Sequence, residues 1–139
     1  MERTSQQVVG DVIALLKGSE LDMYTNGQIY REGTRPRGSR MEDMEVIFTT
    51  GLSGQIQSGV VTILVFVPDI TPFSDGVYVV DGARCERLEG YAQRWVDSLR
   101  GGKGTDYKWR LQRTIQTGHD EGIHQGFVSI KLQYDRFTI

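Results

Sequence analysis

The sequence has one cysteine, Cys85, three prolines and two histidines, and no apolar stretch long enough to cross a bilayer as a helix. Each shortage excludes a class. A lone thiol cannot form a disulfide within the chain, which removes the small disulfide-framed secreted folds. Two histidines, His119 and His124, leave little from which to build a metal centre or a nucleophile–base pair. The longest apolar run, residues 60–68, is interrupted by Thr62. Residues 1–10 are polar and lack the apolar core of a signal peptide, so cytoplasmic synthesis is the expected setting. A surplus of one charge is also missing. Sixteen Lys and Arg against 18 Asp and Glu give a net charge of −2, which offers no global attraction to nucleic acid or to an anionic membrane.

What is present fits one globular domain over 1–139. The chain is 38% hydrophobic and 24% charged, and a chain this long buries a core without metal or disulfide. The 17 glycines fall mostly between periodic segments and read as turns.

Apolar periodicity places the elements. Val9, Val12, Ile13 and Leu16 recur at helical spacing within 5–17, with Thr4 or Ser5 as cap and Gly18 as stop. Residues 28–32 read as a short strand, and 33–40, GTRPRGSR, as a loop. Strands follow at 44–50 and 55–68, joined by a turn at 51–54. The second is apolar on both faces, as for a central strand covered on both sides, by the helices or by a second subunit. A mixed loop occupies 69–81. A long amphipathic helix spans 83–99 on Leu88, Tyr91, Ala92, Trp95, Val96 and Leu99, capped by Asp81 and stopped by Gly101 and Gly102. A hairpin closes the chain, with a strand at 107–117, a turn at 118–122 and a last strand on Val128, Ile130, Leu132 and Tyr134. Phe127 falls out of that alternation, and a bulge is expected there. The result is an α+β fold, a mainly antiparallel sheet of about five strands with two helices packed on it, in the order α-β-β-β-α-β-β.

No motif brings catalytic chemistry with it. His119 and His124 flank Asp120 and Glu121, but the spacing around a turn aims the rings apart, and a polar turn is the expected role. Cys85 near a helix start has Arg84 and Arg87 beside it, yet no base close in sequence. It reads as a small residue facing the sheet. Glycines 51, 54 and 59 lack the Lys-Ser/Thr pair and the following helix of a phosphate loop. Neither a cofactor nor a metal is implied, and the chain does not read as an enzyme. The one concentrated charge feature is Arg31, Arg35, Arg37 and Arg40, held in a loop by Pro36 and glycines. It could be a solvated loop, a contact with acidic residues of a neighbouring subunit such as Glu42, Asp43 or Glu45, or a phosphate-binding loop.

In order, the segments VVGDVIALLKG, QIYREGTRP, MEDMEVIFTTG, SGVVTILVFVPD, RCERLEGYAQRWVDSL, YKWRLQRTIQTG and EGIHQGFVSIKLQYD resemble the tail-terminator, or tail-completion, proteins of long-tailed bacteriophages, or a related head–tail joining protein. The resemblance rests on element order, length and texture over nearly the whole chain. It implies a structural virion protein, a homo-oligomer and most commonly a hexameric ring. Such a ring ends the tail tube, meets the tail-tube protein and the head–tail connector proteins, and lets DNA pass through its centre. It implies assembly in the bacterial host cytoplasm and location in the virion, with no membrane partner. Arg31, Arg35, Arg37 and Arg40 are then the candidate interface residues. Two other readings stand beside it: a nucleic-acid-binding module using the 31–40 loop, and a small ligand-binding domain.

Overall fold

The computed structural model describes residues 1–100 and 106–138. The elements are α1 (Ser5–Leu16), α2 (Glu20–Met23), β1 (Ile29–Arg31), β2 (Met44–Leu52), β3 (Ile56–Pro68), α3 (Gly82–Leu99), β4 (Tyr107–Leu111), β5 (Gln116–Asp120) and β6 (Gln125–Phe137). The fold is α+β, one six-stranded sheet with helices packed on it. Gly18, at φ 76°, ends α1 by taking the left-handed conformation that other residues avoid. Asp81 caps α3, its Oδ1 accepting from the Arg84 N–H at 3.1 Å. The expected stop at Gly101 and Gly102 lies outside the described residues.

Two elements depart from the expected order. α2 is a single turn capped by Ser19, too short to carry any apolar period. The penultimate strand is split in two. Leu111 lies opposite Leu132, and Gln116 lies opposite Ser129. Five steps along one side therefore match three along the other, and two extra residues bulge out. The bulge lets Ile115 turn into the core. The same split extends β5 to Asp120, so His119 is a strand residue and the turn comes later. The bulge expected at Phe127 is absent, for β3 and β6 keep an unbroken register through it. Its ring instead lies against Gly118, where an added Cβ would sit 2.4 Å from the Phe127 ring.

The sheet order is β1-β2-β3-β6-β4, with β5 also on the outer edge of β6. All pairs are antiparallel except β1 with β2. Side chains alternate between faces. On one face Val61, Ile63 and Val65 of β3 stand beside Leu132, Ile130 and Val128 of β6, and all six are buried. Val8, Val9, Val12 and Leu16 of α1 and Leu88, Ala92, Trp95 and Val96 of α3 complete the same core. The Trp95 indole N–H donates to the Leu15 carbonyl at 3.2 Å and ties the two helices together.

Among the described residues no helix lies over the opposite face. Because β1 and β2 are parallel, the chain must return to the end of the sheet where β1 began, and residues 32–43 do so. Part of this connection lies against the outer face as a strap. The Arg35 guanidinium sits 4.0 Å from the centre of the Phe66 ring, and the Gln125 amide donates to the Ser39 carbonyl at 2.6 Å. That explains why Phe66 and Gln125 are buried on a face no helix covers. Among the described residues no helix is long and apolar enough to cross a membrane.

Candidate functional site

Three of the four arginines singled out in the sequence bond within the chain, and two of them, Arg35 and Arg40, hold the strap in place. Arg31 donates to the backbone carbonyl and side-chain oxygen of Gln6, at 3.1 and 2.9 Å, joining β1 to the start of α1. Arg35 makes an ion pair with Asp43 at 2.9 Å and also donates to the carbonyls of Ser39 and Met41. Arg40 reaches the carbonyls of Ile123 and His124, at 2.9 and 3.3 Å, in the β5–β6 turn. Only Arg37 of the four is exposed without a hydrogen bond or ion pair among the described residues.

The acidic residues nearest in sequence are likewise engaged within the chain. Asp43 accepts from Arg35, from the Ser39 hydroxyl at 2.6 Å and from the Gln28 N–H at 3.0 Å. Burial works to raise its carboxyl, but these bonds outweigh it and hold the group below the ordinary carboxylate value. Gly27 makes room for the arrangement, since a Cβ there would lie 2.3 Å from an Asp43 oxygen. Glu42 takes both arms of Arg84, at 2.7 and 2.8 Å, and fixes the start of α3. Glu45 accepts from the Gly33 N–H at 2.9 Å.

His119 and His124 are placed apart in role. His119 Nε2 lies 2.7 Å from Asp69 Oδ2, and the Asp69 side chain is fully buried. His119 lies opposite Gly126 in the ladder. The second Asp69 oxygen, Oδ1, is buried with no hydrogen-bond partner. His124 adopts φ 54° and stacks on Tyr78, with ring centroids 3.9 Å apart. Among the described residues no three His, Cys, Asp or Glu side chains form a group that could hold a metal. Cys85 is buried, and burial pushes its thiol up, with Asp81, Glu89 and Asp69 adding to the effect. The protonated thiol is a poor nucleophile.

A groove of about 430 Å³ lies between α1 and the β4–β6 edge. Its polar groups are turned on one another. Arg3 grips Asp11 with two bonds, at 3.0 and 2.8 Å, and the Tyr107 hydroxyl donates to Asp11 at 2.6 Å. Burial, followed by the bond to Asp11, pushes the Tyr107 hydroxyl well above the ordinary tyrosine value. Arg136 reaches Asp106 at 3.4 Å. With its charges neutralised internally, the groove presents, among the described residues, no convergent set of polar groups to a ligand.

Among the exposed apolar residues, which also include Met1, Met23, Tyr24 and Met41, two groups lie at places that sequence reading did not single out. At the end of the sheet where β3 finishes are Phe73, Val77 and Tyr78 of the 69–81 loop and Ile123 of the β5–β6 turn. At the end where β3 begins are Leu52, Ile56 and Phe137. In sequence these residues are scattered over four segments, and only the fold brings them together. No protein-family model matches the chain, and no characterised protein matches it in sequence.

Proposed function

We propose that this protein is a structural assembly subunit of the tail-terminator type, acting by packing against copies of itself and against other virion proteins rather than by chemistry. The observation that carries this reading is the pair of exposed apolar clusters at opposite ends of one sheet. Exposed apolar groups gathered this way mark protein contacts. Two different clusters on one subunit suit head-to-tail association, the kind of contact that closes into a ring when the rotation is right. The self-neutralised groove and the buried thiol support the same reading, because a ring subunit needs surfaces and not a reactive dyad. In this reading the ring meets the tail tube on one side and the head connector on the other.

The test is assembly. Native mass measurement and electron microscopy of the purified chain, alone and with its tail tubes, should give closed rings on tube ends. Tails lacking the protein should grow to uncontrolled length or fail to join heads. Tails of normal length without it would overturn the assignment. The nucleic-acid reading predicts salt-dependent DNA binding that Arg37→Glu weakens. With Arg31, Arg35 and Arg40 engaged within the chain, no specific observation favours it.

A further inference from the structure

The 69–81 loop is a braced lobe. Ile70 and Val79 exchange both backbone hydrogen bonds at 2.8 Å, and the stack of Tyr78 on His124 fixes the lobe against the β5–β6 turn. The bracing presents apolar side chains to solvent instead of folding them in: Phe73 is 65% exposed and Val77 52%. The lobe also carries Asp75, and the adjoining β5 end and turn carry Asp120 and Glu121, all exposed and, among the described residues, none in an ion pair. Arg40 reaches the same turn from the strap and is taken up by the carbonyls of Ile123 and His124.

The far end of the sheet is built differently. Ile56 and Phe137 are direct partners across β3 and β6, and Leu52 beside them is 73% exposed. The Lys108 ammonium stands 5.9 Å from the centre of the Phe137 ring and joins no ion pair among the described residues. Glu2, also near this end, accepts from the Gly54 N–H at 3.0 Å.

We infer that the lobe end of one copy docks on the Leu52–Ile56–Phe137 end of the next, with Phe73 and Val77 meeting Phe137 and Leu52, and the acidic rim meeting Lys108. The inference rests on the assembly reading above and names the two surfaces it needs. A second copy is the fitting occupant for two reasons. The carboxylates of Asp75, Asp120 and Glu121 at one end complement the Lys108 ammonium at the other, which lies beside the Phe137 ring, and such matching aligns partners. The apolar centres lie at opposite ends of the 13-residue β3, about 40 Å apart at a strand's rise per residue, so they can meet only between copies.

The test is a pair of blocked variants, Phe73→Asp and Phe137→Asp, both at exposed positions and checked for an unchanged circular dichroism spectrum and melting temperature. In sedimentation velocity the unmodified chain should associate. Each variant alone should associate at least about 30-fold more weakly, the effect of losing one central aromatic anchor. Mixed one to one they should form a dimer and stop there, since each retains the end the other needs. Lys108→Glu should weaken association of the unmodified type, and the pair Asp120→Lys with Glu121→Lys should restore it. An unmodified chain that stays monomeric, variants that associate normally, or a mixture that stays monomeric overturns the pairing. Rings on tails that survive both substitutions would overturn these surfaces while leaving the assembly role standing. End-to-end dimers from a chain that is absent from tails would do the reverse.

Discussion

Asp43 shows how one carboxylate organises a segment that sequence alone presents as a loose loop. It joins β1, the strap and β2 through Gln28, Ser39 and Arg35, and its side chain is almost fully buried. Replacing it with alanine leaves the Arg35 charge without its partner and should cost about 3–5 kcal/mol, read from urea unfolding. Because the folded carboxyl keeps its charge to lower pH than the unfolded one, its stabilisation is complete above the ordinary carboxylate range. It is lost as the pH falls below about 4. Asp11 adds in the same direction: burial opposes it, but bonds from Arg3 and Tyr107 prevail and lower its value. Acid unfolding of Asp43→Asn should therefore show a flatter dependence on pH than that of the unmodified chain. The four arginines separate on the same physical basis. Arg35→Glu sets a second carboxylate against Asp43 and should lower the melting temperature. Arg37→Glu, at an exposed position without partners, should leave it within the range of neutral surface changes, about ±0.5 kcal/mol.

At the scale of elements, the indole of Trp95 fills the space between α3, α1 and the sheet. Trp95→Ala should cost about 3–5 kcal/mol in unfolding measurements. This helix face was legible in the sequence because Leu88, Tyr91, Ala92, Trp95, Val96 and Leu99 keep one spacing over three turns of α3, and length makes periodicity unambiguous. The central strands were legible for the same reason, in their β-branched run and in the alternation of Val128, Ile130, Leu132 and Tyr134. What escaped was short or non-local. One turn of helix at Glu20–Met23 has no period to detect. The split between β4 and β5 depends on a register set by β6, and nothing in 107–117 announces it. The role of His119 was hidden likewise, since its partner Asp69 lies 50 residues away. His119→Ala should leave that carboxylate buried without a side-chain partner and cost about 2 kcal/mol. Asp69→Asn in the same chain should recover part of the loss, measurable as a coupling in a double-mutant cycle.

For the molecule as a whole, all the helices of the core lie on one side of the sheet, and the other side is finished by a strap. The attachments of that strap are far apart in the chain. Its near end binds Asp43, but its far end waits for Ile123, His124 and Gln125, more than 80 residues later. During synthesis, therefore, the arginine-rich segment cannot complete its closure until the β5–β6 turn has left the ribosome. The innermost strand pair has the same delay, with Ile63 opposite Ile130, so folding must wait on long-range loop closure. Pulse-labelled hydrogen exchange should show the Gln28 and Phe66 amides, which bond Asp43, gaining protection together with β6 and not before it. Until that moment the exposed strands of the unfinished sheet would be open to pairing with other nascent chains. The strap is thus also a timing element, closing the outer face only once the sheet beneath it is complete.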